Sequence, residues 1–232
     1  PVIPSSGDIS VQVWSYAPES IDNCAEILAQ GSSSGTPTYF LGVCAGQFRV
    51  SHEWQYIIDY PIGEWINTTV VKDNNGTKLY FNGSLVAAET TFVEQPSNAP
   101  LYIGCQYTGN TEFWNGKIDE VRIWNIALTE SEIQSNYNTQ LNGDESGLVA
   151  YWNFNEGGGS TVNDLSEFGN NGTIYGATWS ADVPFNPAPA STSLSGIAWQ
   201  ADPDNGLAGF TPGNPLSFRY FARRGGEAAI YE

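Results

Sequence analysis

The stretch GKIDEVRIWNIALTESEI, residues 116–133, decides how the fold is interpreted. Its first half has the make-up of a β-strand, and its second half carries the signals that start a helix. Thr129 occupies the N-cap position and Glu132 follows three residues later, which is the spacing of a capping box. The sequence therefore predicts a strand that leads into one short helix, which turns the chain around.

Short strands separated by turn residues precede this stretch. Residues 9–14, ISVQVW, alternate apolar and polar side chains with the period of a half-buried strand. Asn-Gly pairs at 75–76 and 82–83 supply the positive φ angles of tight hairpins, so residues 78–81 and 84–89 are predicted to pair antiparallel. Roughly nine such strands predict an all-β fold: an antiparallel β-sandwich of two packed sheets with one short helix and a C-terminal β tail.

The charge of the chain restricts its partners. Its 232 residues carry a net charge of −17 with only 8 Lys and Arg, a field that repels nucleic acid and anionic lipid. No run approaches the roughly 20 apolar residues of a membrane span. Calcium and neutral glycans are therefore favoured as partners, and nucleic acid and membrane insertion are not. The charged fraction of 14% is low for a cytoplasmic domain.

Three cysteines bear on the location of the protein. If residues 25–32 and 36–44 form a hairpin, Cys24 falls opposite Cys44, and a disulfide between them is predicted. Such a bond is typical of an extracellular or cell-surface protein. Cys105 is left over, either buried or bonded to a partner.

Several segments, taken in order, resemble one known family. Residues 63–87, with a Trp, a strand and an Asn-Gly hairpin, then residues 100–124 and 116–133, resemble the LamG-like jellyroll domains of the concanavalin A-like lectin/glucanase group. Residues 147–179 resemble a segment that begins or follows such domains. The resemblance implies a jellyroll over residues 1–184, a Pro/Ser-rich linker over 185–193, and a short strand-bearing tail over 194–232.

The resemblance raises the question of catalysis at Asp119 and Glu120. Related laminarinase-type hydrolases place two Glu residues on one face of a strand, where they flank a glycosidic bond. Here the first Glu is replaced, and adjacent strand side chains point to opposite faces. We expect Glu120 to pair with Arg122 and Asp119 to accept hydrogen bonds from loop amides. No catalytic residue is predicted, and the protein is interpreted as a non-enzyme.

The resemblance also implies an open sheet edge. Family members carry a further strand before the segment that matches residues 1–6, so the strand holding residues 9–14 is expected to lack a partner. Three segments are candidates to fill the gap: the strand within LVAYWNF (148–154), the tail, and a neighbouring subunit. If a neighbouring subunit fills the gap, the protein self-associates through this edge.

Aromatic residues outside the predicted strand centres are candidates for stacking on sugar rings. The alternative is packing in the core or over strand edges. The candidate ligand-binding residues are Trp54, Tyr56, Tyr60, Tyr107 and Trp114.

A Gly-rich loop, NEGGGSTVNDLSEFGNN, holds a candidate calcium site. Hard oxygen ligands crowd it, namely Glu156, Asp164, Asn170 and Asn171. The alternative is that Asp164 and Asn171 cap turns by accepting hydrogen bonds from backbone amides.

Two functions remain open from the sequence. The first is a non-catalytic extracellular module for adhesion or architecture, assembled by strand donation into a filament or sheath. The second is a glycan-binding, lectin-like recognition module, for which calcium is a candidate cofactor.

Overall fold

The structure is a computed structural model that describes residues 2–31, 38–51, 54–90, 95, 99–106, 109, 111–185, 220–224 and 227–231, with residues 54–57 and the last two ranges described by their backbone. The chain divides into two compact units, residues 1–189 and 190–232. The second unit holds one antiparallel pair of strands, which lies in the predicted tail. The predicted linker lies almost wholly outside the described residues.

The strands, in chain order, are β1 (Ile9–Tyr16), β2 (Cys24–Gln30), β3 (Tyr39–Cys44), β4 (Gln47–Val50), β5 (Trp54–Asp59), β6 (Trp65–Asp73), β7 (Gly76–Phe81), β8 (Ser84–Glu89), β9 (Leu101–Ile103), β10 (Lys117–Trp124), β11 (Leu148–Trp152), β12 (Thr161–Val162), β13 (Gly172–Thr173), β14 (Tyr220–Arg224) and β15 (Glu227–Tyr231), with one helix, α1 (Glu130–Asn136). No helix among the described residues is long and apolar enough to cross a membrane.

Two antiparallel sheets form the first unit. The six-stranded sheet has the order β11-β10-β1-β6-β7-β8, and the five-stranded sheet has the order β5-β4-β3-β2-β9. Alternate residues of each sheet face the other sheet and form one core; they include Val11, Val13, Val70, Leu79, Val121 and Ile123 from the first sheet and Ile27, Leu41, Val43, Phe48 and Val50 from the second. The predicted all-β, antiparallel two-sheet sandwich with one short helix is confirmed.

The strand β1 lies inside the six-stranded sheet and not at its edge. It pairs with β6 along its whole length and with β10 on its other side. The expectation of an unpaired row beside residues 9–14 is therefore wrong. The strand from LVAYWNF, β11, pairs with β10 and takes the outer position, so no second subunit is needed to complete this side of the sheet.

The outer edge of β11 is itself closed by a loop. Asp164 accepts a hydrogen bond from the Tyr151 backbone N–H at 2.9 Å, and Leu165 N–H donates to the Tyr151 carbonyl at 2.8 Å. These bonds occupy the backbone groups that an exposed strand edge would offer to another chain.

Helix α1 covers the outer face of the six-stranded sheet. Its Ile133 joins a second apolar cluster with Trp124 and Tyr151 of that sheet. The predicted capping box is present, since the Glu132 carboxylate accepts from Thr129 N–H at 2.7 Å and Thr129 Oγ1 accepts from Glu132 N–H at 3.3 Å. The helix has 7 residues, so it makes about two turns.

A disulfide joins the two strands at the centre of the five-stranded sheet. Cys24 of β2 and Cys44 of β3 are directly opposed, and their sulfur atoms are bonded. The predicted pairing is confirmed. Cys105 is a free, partly buried thiol.

Candidate functional site

A β-bulge changes the geometry of the acidic pair in β10. Gln12 lies opposite Arg122 and Trp14 lies opposite Asp119, so two steps along β1 match three along β10. Glu120 takes up the extra residue with a φ of 50°, in the left-handed region. Because Gln12 and Trp14 share one face of β1, Asp119 and Arg122 share that face too. Glu120 lies on this face as well, because its carboxylate is bonded to Arg122. The prediction that Asp119 and Glu120 point to opposite faces is therefore wrong.

The acidic pair is nevertheless closed to a substrate. Glu120 Oε2 accepts from Arg122 Nη2 at 2.5 Å, as predicted, and from the Tyr151 hydroxyl at 2.8 Å. Asp119 Oδ1 accepts from the Glu120 backbone N–H at 2.8 Å. Arg122 also donates to the Asn136 carbonyl at 2.7 Å, at the end of α1. The pair therefore belongs to the buried contact between β10 and the helix.

Burial governs the ionisation of this pair. It raises the pKa of Asp119 to about 7, an effect to which the Glu120 charge adds. Burial also raises the pKa of Glu120, against the opposing effect of the Arg122 guanidinium. Both side chains are less than a tenth exposed.

A second set of charged residues lies on the outer face of the five-stranded sheet. In the strand register Glu26 of β2 lies opposite Gly42 of β3, and Gly42 lies opposite Arg49 of β4. The neighbours of Glu26 and Arg49 along each strand face the core, so both side chains face outward. Glu112 joins this row from the loop before β10, where its carbonyl accepts from Glu26 N–H at 2.9 Å.

These three residues form one ion-pair cluster, here called the charged cluster (Glu26, Arg49 and Glu112). Arg49 Nη2 donates to Glu26 Oε1 and, at 2.8 Å, to Glu112 Oε2. The guanidinium carbon lies 4.8 Å from the centre of the Phe40 ring, a cation–π contact on the same face. Two carboxyl groups and one aromatic ring therefore hold a single guanidinium in place.

Gly42 makes room for this arrangement. A Cβ at this position would lie 2.2 Å from Glu26 Oε2 and 2.5 Å from the Ala25 carbonyl oxygen. Only a residue without a side chain lets the Glu26 carboxyl lie across β3 toward Arg49. The Glu26 carboxyl group fills the space that a side chain at this position would take.

The three members of the charged cluster differ in exposure. The side chain of Glu26 is 1% exposed, that of Arg49 12% and that of Glu112 28%. Burial raises the pKa of Glu26 to about 8; the Arg49 guanidinium opposes this rise and the Glu112 carboxylate adds to it. Glu26 therefore keeps its proton at neutral pH, and the accessible charges are those of Arg49 and Glu112.

Of the five predicted aromatic side chains, the structure describes two, Tyr60 and Trp114. Tyr60 and Trp114 are buried, with ring centres 5.7 Å apart in an edge-to-face contact, so core packing holds for both and neither offers an open ring to a sugar. Trp54 and Tyr56 belong to β5, at the edge of the five-stranded sheet, but their side chains lie outside the description. Tyr107 lies outside the described residues.

The structure brings most of the candidate calcium ligands together through hydrogen bonds. Asp164 accepts from the backbone N–H groups of Tyr151, Ser166 and Asn170, and Asn171 Oδ1 accepts from Asp164 N–H at 2.9 Å. Glu156 instead accepts from Asn163 N–H at 2.7 Å.

These contacts match the turn-capping alternative for Asp164 and Asn171. Among the described residues, no three His, Cys, Asp or Glu side chains are grouped so that they could hold a metal ion. Calcium binding stays a prediction, and it would require some of these bonds to be exchanged for metal bonds.

Comparison with known families identifies the fold. The family model described as the concanavalin A-like lectin/glucanases superfamily matches residues 1–134. The chain belongs to this superfamily. The resemblance to LamG-like jellyroll domains is thereby confirmed, and β11, beyond the matched residues, completes the six-stranded sheet.

Solved structures with this superfamily's architecture are distant in sequence. A Bacteroides ovatus ATCC 8483 protein, provisionally described as carbohydrate-binding, is 18% identical with a TM-score of 0.53, over 73% of this chain and 53% of that one. The chain thus spans about half the length of that protein. The likeness shows the fold alone.

Two further similarities are weaker. Trypanosoma rangeli sialidase in complex with the inhibitor DANA is 15% identical, with a TM-score of 0.46, over 58% of this chain and 23% of the enzyme. Domain 4 of AbnA, an extracellular arabinanase of Geobacillus stearothermophilus, in complex with arabinotriose, is 20% identical with a TM-score of 0.44, over 59% and 69%. No curated protein sequence matched the chain.

In this member of the concanavalin A-like lectin/glucanases superfamily, sequence reasoning missed the charged cluster. Glu26, Arg49 and Glu112 are far apart in sequence and meet only through the register of neighbouring strands. The signal that was present is Gly42 in an otherwise bulky strand, YFLGVC, flanked by strands that each carry one charged residue.

Proposed function

We propose that the protein is a non-catalytic extracellular module that binds glycans, and that it binds them on the outer face of the five-stranded sheet at Arg49 and Glu112. One observation carries this proposal. A partly exposed Arg–Glu pair is fixed from beneath by a buried acid, Glu26, and by the Phe40 ring.

Such an arrangement suits the recognition of sugars. A sugar ring offers hydroxyl groups in fixed directions, and a site selects them with a few polar groups held in place. Long charged side chains normally lose conformational freedom when they bind a ligand. Arg49 has lost that freedom already, so the Arg49–Glu112 pair meets a ligand preorganised.

The geometry of the cluster does not suit glycoside hydrolysis. Hydrolases place their two carboxyl groups on either side of the bond to be broken, about 5 to 10 Å apart. Here both carboxylates contact the same nitrogen, Arg49 Nη2, and Glu26 is almost wholly buried. No sugar ring fits between them, so the pair supports binding and not bond cleavage.

Other features support an extracellular binding module. The fold belongs to a superfamily that includes lectins, and one structural neighbour is described as carbohydrate-binding. The disulfide between Cys24 and Cys44 is typical of oxidising compartments. Adhesion at a cell surface is the broader role that glycan binding would serve.

Assembly by strand donation is the less supported alternative. It was motivated by an open edge beside β1, and that strand is paired on both sides. Calcium-dependent binding remains part of the proposal to be tested, because the loop holding Asp164 is rich in oxygen ligands.

The test is binding to a glycan array by the full chain and by two variants. Glu112→Gln removes the accessible carboxylate with little change in shape. Asp73→Asn is the matched control, since Asp73 forms an ion pair with Lys78 on the other sheet. The proposal expects glycan binding that Glu112→Gln weakens and Asp73→Asn leaves intact, with calcium and chelator arms for metal dependence. Binding to no glycan, or equal binding by Glu112→Gln, would overturn it.

A further inference from the structure

We propose that this site, if it binds glycans as inferred above, accepts sugars that donate hydrogen bonds to a carboxylate, meaning neutral or amino-bearing glycans, and rejects acidic ones. Three features point to this ligand class: which charge is exposed on the outer face, how Arg49 is occupied, and the net charge of the whole chain.

The most accessible charge of the cluster is negative. Glu112 is 28% exposed, more than twice the 12% of Arg49. Asp59 of β5 adds a second exposed carboxylate on the same face, where it accepts from Gln47 Nε2 at 3.2 Å. A ligand that approaches this face therefore meets acceptors, which a hydroxyl or ammonium group satisfies and a carboxylate or sulfate does not.

Part of the Arg49 guanidinium is already committed to the cluster. Its Nη2 is shared by Glu26 and Glu112, and one face of the group lies on Phe40. Its Nε has no hydrogen-bond partner among the described residues, but that atom is buried, so a ligand does not reach it. An acidic sugar that takes Arg49 Nη2 would have to displace the Glu112 carboxylate, which would leave that carboxylate unpaired at a cost.

Gly42 and the unpartnered Glu26 Oε2 show that the cluster is packed tightly onto β3. Glu26 Oε2 is buried without a hydrogen-bond partner among the described residues, and it lies above the position where a Gly42 side chain would be. A buried polar atom without a partner is costly, so a fold that keeps one at this place holds the cluster in a set geometry.

The charge of the whole chain acts in the same direction. At −17, the protein repels acidic polymers at distances up to the screening length, about 8 Å at physiological ionic strength. Neutral glycans are unaffected by this field, and amino-bearing glycans are attracted by it.

The experiment uses the full chain and immobilised glycan pairs that share a backbone and differ in charge. Suitable pairs are oligogalacturonate with its methyl ester, and chitosan with chitin oligomers, printed among neutral, sialylated and sulfated glycans. We expect binders only in the neutral and amino-bearing classes, an affinity loss of about tenfold or more for Glu112→Gln, and no loss for Asp73→Asn. Added salt should weaken the amino-bearing binders and spare the neutral ones.

The outcomes separate this inference from the function on which it rests. Binding confined to uronic, sialylated or sulfated glycans would overturn the ligand class and leave glycan binding standing. Loss of affinity for a neutral glycan on adding salt would also count against the inference, and this readout needs no variant. Binding to no glycan of any class would overturn both proposals.

Discussion

The fold strongly alters the ionisation of Glu26. Its pKa rises from an ordinary 4.5 to about 8 because the carboxyl group is buried, so the folded protein binds a proton that the unfolded chain releases above pH 5. The stabilisation from this proton is complete below pH 4.5 and is lost as the pH rises through about 8.

We predict that the free energy of unfolding falls between pH 5 and pH 9 in the wild type, and falls less in Glu26→Gln. The glutamine is neutral at every pH, so the difference between the two falls in free energy of unfolding isolates Glu26. This difference amounts to a few kcal/mol at most. Asp119, with its pKa raised to about 7, contributes in the same direction in both proteins. Urea unfolding at several pH values measures both slopes; equal slopes would contradict the assignment.

We predict that Gly42→Ala destabilises the protein by about 1 to 3 kcal/mol and weakens glycan binding. The added methyl group would overlap the Glu26 carboxyl and the Ala25 carbonyl, so β2 or Glu26 must move. Gly158→Ala is the matched control, because nothing lies within 4 Å of the position of its Cβ. Thermal unfolding compares the two; equal melting temperatures would show that Gly42 has no special role.

The strand β10 and helix α1 act as one element, joined by Arg122. Its guanidinium neutralises Glu120 and donates to the carbonyl of Asn136, the last residue of the helix, and to that of Thr139, three residues beyond it. Trp14 Nε1 adds a bond to the Tyr137 carbonyl at 2.8 Å. The stretch DEVRIW followed by the capping box therefore encodes both ends of the helix, which explains why this motif is a structural one.

We predict that Arg122→Leu destabilises the protein by about 3 to 5 kcal/mol, since it leaves the Glu120 charge buried and unpaired. Glu120→Gln combined with Arg122→Leu should recover part of this loss, because the unpaired charge is then absent. Gln134→Ala, on the exposed side of α1, serves as the control. Urea unfolding decides the matter: a loss below 1 kcal/mol for Arg122→Leu would mean that the ion pair is not needed.

Local signals in the sequence predicted the local elements well. The Asn-Gly turn at 82–83 predicted the β7–β8 hairpin, and the spacing of Thr129 and Glu132 predicted the start of the helix. The bulge at Glu120 was not predictable, because a left-handed glutamate has no sequence signature of its own. Glu26, Arg49 and Glu112 come together because of the register between neighbouring strands. The alternation of side chains along a single strand does not specify that register.

At the scale of the whole molecule, the sandwich extends beyond the residues that identify the family. The match covers residues 1–134, but β10 is paired on its outer side by β11, and β11 is closed by Asp164 and Leu165. The order of strands in the sheet was not evident from the sequence, which is why an unpaired edge was expected beside β1. Long-range pairing places β10 beside β1, and β11, which follows the helix, takes the outer position beside β10.

We predict that a chain of residues 1–142 aggregates or unfolds, whereas a chain of residues 1–189 is folded. The shorter chain leaves the outer edge of β10 without its partner strand, and an apolar sheet edge pairs with other chains. Size-exclusion chromatography and circular dichroism on both chains provide the comparison. A monomeric, folded 1–142 chain would contradict the view that β11 belongs to the sandwich.

The central claim is that glycans bind on the outer face of the five-stranded sheet. The most direct measurement is a crystal structure of the protein with the strongest neutral or amino-bearing glycan from the array. The account predicts a sugar above β2, β3 and β4, with a donor group within hydrogen-bonding distance of the Glu112 carboxylate. A sugar bound elsewhere, with Arg49 and Glu112 untouched, would contradict it.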